Sequence, residues 1–139
     1  QVTKSFIPQP TETPMKKIAI IAHDGRKPEM VHFLKENADA LNRVQLIATG
    51  TTGKHVRQAG YEVDAKLSGP MGGDAQIAAM AAEEQLCAVI FFRDPLGKHP
   101  HEPDVQMLLR ICDLYNIPLA TNPASAKFML RGMIEEGEV

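Results

Sequence analysis

Five short apolar runs, each followed by a polar cluster and then by a stretch of helical periodicity, constrain this chain more than any other feature. KIAIIA (Lys17–Ala22), VQLIAT (Val44–Thr49), YEVDAKL (Tyr61–Leu67), AVIFF (Ala88–Phe92) and IPLAT (Ile117–Thr121) have strand length, and most are apolar on both faces. Strands read this way when a parallel sheet is covered by helices on both sides. Between the runs, Met30, Phe33, Leu34 and Leu41 recur at helical spacing, as do Ile77, Met80 and Ala81, and again Val105, Leu108, Leu109 and Cys112. Phe128, Met129 and Met133 predict a last helix. The expected fold class is α/β: a single-domain, open five-stranded parallel sheet with right-handed crossovers and helices on both faces, a Rossmann-like or flavodoxin-like three-layer sandwich.

The chain has 139 residues, the length of one domain. Its first 14 residues, QVTKSFIPQPTETP, carry three prolines and no period. Residues 1–14 are therefore expected to be an N-terminal arm outside the fold, native or appended, and residues 15–139 the α/β domain. The formal net charge of −2 creates no global basic field, so a nucleic acid or an acidic membrane surface is not an expected partner. No run reaches the roughly 20 apolar residues of a membrane span, and no signal-peptide pattern opens the chain. Cys87 and Cys112 both sit inside apolar runs, which predicts reduced, packed thiols and a cytoplasmic setting.

Ligands of open parallel sheets bind beyond the carboxyl ends of the strands. Every predicted strand here empties into a polar cluster: His23-Asp24, then Thr49-Gly-Thr-Thr-Gly53, then Ser68-Gly-Pro-Met-Gly-Gly-Asp74, then Arg93-Asp94 followed by His99, His101 and Asp104, and last Thr121-Asn122. Scattered in sequence, these residues converge on one edge of the expected sheet, which predicts a small-molecule site.

Each cluster has a plain alternative. TGTTG is either a strand-to-helix turn, with glycine for positive φ and threonine as N-cap, or an anion cradle of backbone N–H groups and hydroxyls at a helix N-terminus. It is not a P-loop, because the glycine spacing is wrong and His55 stands where Ser or Thr is required. GPMGG likewise does not match the dinucleotide fingerprint, so ATP and NAD are not expected. Asp74 can be a first-turn carboxylate complementing a helix dipole, Asp94-Pro95 turn chemistry, and Pro103-Asp104 a helix start. His23 and His101 can be loop residues bonded to backbone. His99, His101 and Asp104 invite a metal, but no third histidine or nearby cysteine completes the set, and none is expected. Electrostatics separates the readings. If TGTTG holds phosphate, Asp24, Asp74, Asp94 and Asp104 crowd carboxylates toward the same place. Two like charges about 5 Å apart repel by about 3 kcal/mol at an effective dielectric near 20. Carboxylates beside a phosphate are useful when one of them removes a proton, and a histidine can then move protons between oxygens. The pattern points to proton abstraction on a small phosphorylated carbonyl compound.

IAHD with Lys27 three positions on, ATGTTG, LSGPMGGD, FFRDPL, PHEPDV, LLRICD and NIPLATN are, in order, similar to the motifs of the methylglyoxal synthase family. The resemblance spans Lys17 to about Lys127. It implies a cytoplasmic lyase that converts dihydroxyacetone phosphate to methylglyoxal and inorganic phosphate, without metal or organic cofactor, as a homohexamer. It places the catalytic base on Asp74, and the proton-handling histidine and its neighbouring carboxylate on His101 and Asp104. His23, Lys27, Thr49, Gly50, Thr51, Thr52, Ser68 and Gly69 match substrate-binding positions, and Asp24 and Asp94 match further acidic residues of the site. Longer family members carry a tail arginine that reaches a phosphate. This sequence departs from that pattern at EEGEV, with Arg131 no obvious replacement, and catalysis is expected to survive the difference. Two other readings stay open: an effector-sensing module of the same fold, which needs no acid/base set, and an isomerase that stops at the enediol.

Overall fold

The computed structural model describes residues 16–66, 72–97 and 102–139, with the side chains of Asp74 and of residues 102–104 excepted. Its elements alternate as the apolar runs require. They are β1 (Lys16–Ala22), a 3-10 turn (Asp24–Arg26), α1 (Lys27–Glu36), α2 (Ala38–Leu41), β2 (Val44–Ala48), α3 (Gly50–Gln58), β3 (Asp64–Ala65), α4 (Gly73–Ala82), β4 (Ala88–Phe92), α5 (Glu102–Leu114), β5 (Leu119–Ala120) and α6 (Pro123–Glu135). All strand pairs are parallel, in the order β3-β2-β1-β4-β5.

Period-two alternation splits the central strands between two cores. Ile18, Ile20 and Ala22 of β1 join Ala88, Ile90 and Phe92 of β4 in one core, packed by Met30, Phe33 and Leu34 of α1, Val56 of α3 and Leu130 of α6. Ala19, Ile21, Val89 and Phe91 point the other way, onto Ile77 and Ala81 of α4 and Val105, Leu108 and Cys112 of α5. The chain builds outward from β1 to β3 and then crosses on the opposite face, through α4, back to β4. The strand order therefore reverses between β1 and β4, and their carboxyl ends flank the crevice where ligands of such sheets bind.

Several expected boundaries move. β3 and β5 are edge strands of two residues each, far shorter than YEVDAKL and IPLAT predict, because each meets a partner on one side only. Leu41 belongs to a separate short helix, α2, since α1 ends at Glu36 and is capped by Asn37, whose Nδ2 donates to the Phe33 carbonyl. Phe128 lies on the last helix as predicted, α6, and is 63% exposed, with the Lys127 ammonium 5.1 Å from its ring centroid.

The glycines of TGTTG are helical, which goes against the reading of that segment as a turn with positive φ; among the described residues the glycines with positive φ are Gly60, Gly72 and Gly137. Gly53 serves close approach instead. A Cβ at that position would stand 2.9 Å from the Ala65 Cβ. Alanine in an open helix would gain about 1 kcal/mol over glycine, but overpacking costs about 1 to 3 kcal/mol. Gly53→Ala is therefore expected to be a net destabilisation, read as a lower urea midpoint at unchanged slope. A higher midpoint would mean that α3 and β3 can part freely.

Candidate active site

The end of β1 organises the crevice. His23 extends the β1–β4 ladder by donating its backbone N–H to the Phe92 carbonyl at 3.1 Å. Its buried ring meets Phe91 edge-on, 5.3 Å between centroids, and its Nδ1 accepts the Asp94 backbone N–H at 3.1 Å. Arg26 ties the same two loops together, donating from Nη1 to the Arg93 carbonyl at 3.1 Å, while its Nε pairs with Glu29. Sequence reasoning passed over Arg26; its adjacency to Lys27 was the only signal available.

Lys27, the first residue of α1, is buried, an uncommon position for an ammonium group. Its Nζ donates to the Ala22 carbonyl at 3.0 Å and to Asp24 Oδ1 at 2.7 Å. Asp24 itself is 96% exposed, so this carboxylate forms the solvated rim of the pair. Among the described residues the ammonium thus has two acceptors for three N–H bonds.

The TGTTG segment follows directly. Thr49 occupies the N-cap position of α3, although its side chain makes no capping hydrogen bond. The first intrahelical bond runs from the Gly53 N–H to the Thr49 carbonyl at 2.7 Å, so the amides of Gly50, Thr51 and Thr52 precede the helical ladder. Thr52 is buried and its hydroxyl is occupied: it accepts the Ala22 N–H at 3.1 Å and the Thr49 hydroxyl at 3.4 Å, and donates to the Ala22 carbonyl at 3.3 Å. β2 has already ended at Ala48, so this hydroxyl satisfies the Ala22 backbone where no strand lies opposite. Thr51 is exposed and Gly50 half-buried. Thr52→Val keeps the shape and strands the buried Ala22 amide. It should lower stability by about 1 to 3 kcal/mol, measured by urea unfolding; an unchanged midpoint would show that another acceptor replaces the hydroxyl.

Asp94 matches its turn reading. Its Oδ1 accepts the N–H groups of Leu96 at 3.0 Å and Gly97 at 3.1 Å. Asp24 and Asp94 therefore each have a local partner, and the carboxylate crowding expected from sequence is relieved for these two. Asp74 is the second residue of α4, in its first turn as one reading of the sequence has it, and the helix begins after Gly72 at φ 105°. Asp104 is the third residue of α5 and Pro103 the second, in keeping with the helix start read there. Ser68, Gly69, His99 and His101 lie outside the described residues, as do the side chains of Asp74 and Asp104. The fifth cluster is a helix cap: Asn122 Oδ1 accepts the Ser125 N–H at 2.9 Å, with Pro123 opening α6.

Among the described residues no group of three or more His, Cys, Asp or Glu is placed to hold a metal ion, and no helix is long and apolar enough to cross a membrane. The thiols are poor nucleophiles. Burial pushes Cys112 up to about 11, with Asp113 adding to the rise, and burial also raises Cys87 despite the nearby Lys16. Cys87 borders a cavity of about 410 Å³ with Lys16, Tyr115 and Asn116, at the amino edge of the sheet and away from the crevice.

Residues 29–121 match the MGS-like domain family. The chain is 53% identical over 118 residues to methylglyoxal synthase of Borrelia garinii subsp. bavariensis, covering 84% of this chain and 94% of that protein. It is 50% identical over 120 residues to methylglyoxal synthase of Carboxydothermus hydrogenoformans, covering 86% and 99%. The crystal structure of methylglyoxal synthase from Elizabethkingia anophelis NUHP1 superposes with a TM-score of 0.79 at 44% identity, over 83% of this chain and 76% of that one.

Proposed function

Because this chain belongs to the methylglyoxal synthase family, we propose that it is a carbon–oxygen lyase converting dihydroxyacetone phosphate to methylglyoxal and inorganic phosphate. One observation supports this reading above the rest. The buried Lys27 ammonium and the amides of Gly50, Thr51 and Thr52 stand together at the carboxyl ends of β1 and β2, where a phosphate gains both a point charge and helix N-terminal donors. Thr52 contributes to the cradle through its amide, since its hydroxyl is engaged by Ala22. Thr49, Ser68 and Gly69 complete the substrate contacts in this scheme, with Asp24 and Asp94 at its margin.

The chemistry follows from the substrate. Asp74, ionised, takes a proton from the carbon bearing the free hydroxyl, and the electron pair moves to the carbonyl oxygen as an enediolate. His101, oriented by Asp104, moves protons between the two enediolate oxygens. The enediolate then collapses: the oxygen on the deprotonated carbon becomes an aldehyde carbonyl, the enediolate's carbon–carbon double bond shifts toward the phosphate-bearing carbon, the carbon–oxygen bond to phosphate breaks, and phosphate leaves with that bond's electrons. The remaining enol tautomerises to methylglyoxal. No net electron is gained or lost, so the scheme calls for no redox cofactor, and a lysine with helix amides takes the place a metal would have against the phosphate.

We extend the reading to a homohexamer acting in the cytoplasm, to be checked by light scattering on the purified protein and by cell fractionation. The catalytic test is incubation with dihydroxyacetone phosphate while methylglyoxal, phosphate and glyceraldehyde phosphate are measured together. Equal release of methylglyoxal and phosphate is expected. Glyceraldehyde phosphate as the product would make the protein an isomerase, and tight binding without turnover would make it a sensor.

A further inference from the structure

We propose that Asp94 is a positioning residue, which fixes the tautomer of His23 through its backbone amide while its carboxylate holds that amide in place. The inference rests on the lyase reading of the crevice and adds to it how His23 meets the substrate. Three hydrogen bonds carry it. The Asp94 N–H donates to His23 Nδ1 at 3.1 Å, and a nitrogen that accepts a bond carries no proton. The single proton of the neutral ring is therefore on Nε2, and His23 can offer the crevice a donor and not an acceptor. Asp94 Oδ1 receives the N–H groups of Leu96 and Gly97 at 3.0 and 3.1 Å, closing a turn that aims its own amide at the ring.

The rest of the neighbourhood enforces the arrangement. The His23 backbone is pinned to Phe92, the residue two before Asp94, and the Arg26 guanidinium holds the intervening Arg93 carbonyl. The Phe91 edge contact limits rotation of the imidazole. Gly25 packs beneath the turn, where a Cβ would stand 3.3 Å from Asp94 Oδ2. A neutral Nε2–H donor suits an oxygen that gains negative charge, as the carbonyl oxygen does when an enediolate forms.

The test separates position from charge. Nitrogen-detected NMR of the unliganded protein, with ¹⁵N in its histidines, reads the His23 tautomer without any turnover assay. The wild-type ring should show a proton on Nε2 and none on Nδ1. Asp94→Asn retains an acceptor oxygen for the turn and should retain that tautomer. Asp94→Ala loses both side-chain bonds of the turn and leaves only the longer backbone bond from the Gly97 N–H to the Asp94 carbonyl at 3.3 Å; it should give a mixture of tautomers and a kcat below that of the asparagine variant. A proton on Nδ1 in the wild type overturns the proposal even if the alanine variant fails to fold. So do asparagine and alanine variants equally low in kcat while the asparagine variant keeps the wild-type tautomer, because the carboxylate charge would then act directly. Absence of lyase activity in the wild type together with the expected tautomer would count against the function and leave the geometry standing.

Discussion

Asp74→Asn should fold as the parent chain does and lose at least about a hundredfold in turnover, the lower end of what a positioned general base supplies. Asparagine keeps the shape and hydrogen-bonding capacity of the side chain but cannot take a proton from carbon. The backbone at this position is set by Gly72 at φ 105° and the first turn of α4, neither of which needs a carboxylate. Circular dichroism should therefore be unchanged while methylglyoxal release collapses. Turnover close to the parent's in a preparation free of host enzyme would falsify the assignment of the base.

Lys27→Met is expected to act on binding rather than on chemistry. Both ends of the existing contact tolerate the loss: Asp24 is almost fully exposed and stays solvated, and the Ala22 carbonyl keeps the Thr52 hydroxyl. A charge-assisted hydrogen bond to phosphate contributes about 1.5 to 3 kcal/mol, which is roughly a tenfold to hundredfold weakening. KM for dihydroxyacetone phosphate and the inhibition constant of free phosphate should rise together by that factor, because both anions use the same cation. If phosphate inhibition is untouched while KM rises, the inhibitory phosphate sits elsewhere. If neither moves, Lys27 only ties β1 to α1.

What could be read from sequence divides according to the range of the interaction. AVIFF gives β4 to the residue, since a run buried on both faces has no other reading at that length. The Asp94-Pro95 turn is equally legible, because donor and acceptor lie within three residues; the Asn122-Pro123 cap of α6 is just as local, yet the sequence reading assigns Asn122 only to the polar edge. YEVDAKL has the composition of a strand but pairs only at Asp64 and Ala65, and composition cannot tell how many partners an edge will find. The Thr52 hydroxyl was expected on phosphate and is spent on Ala22, 30 residues away, a contact that exists only once β1 and α3 are side by side. The His23 tautomer is hidden for the same reason. Its partner amide is 71 residues along the chain. The family resemblance supplied roles for residues whose own pattern left two readings, and Asp74, His101 and Asp104 keep theirs as proposals.

That separation bears on how the protein is made as well as on how it works. β1, α1, β2 and α3 can form from neighbouring sequence, but the inner edge of β1 waits for β4, and closing so long a loop is the slow kind of step in folding. Until it closes, the phosphate cradle can exist beside a histidine free to hold its proton on either nitrogen. A refolding chain should therefore regain affinity for phosphate before it regains turnover, and the interval between the two would time the arrival of the fourth strand.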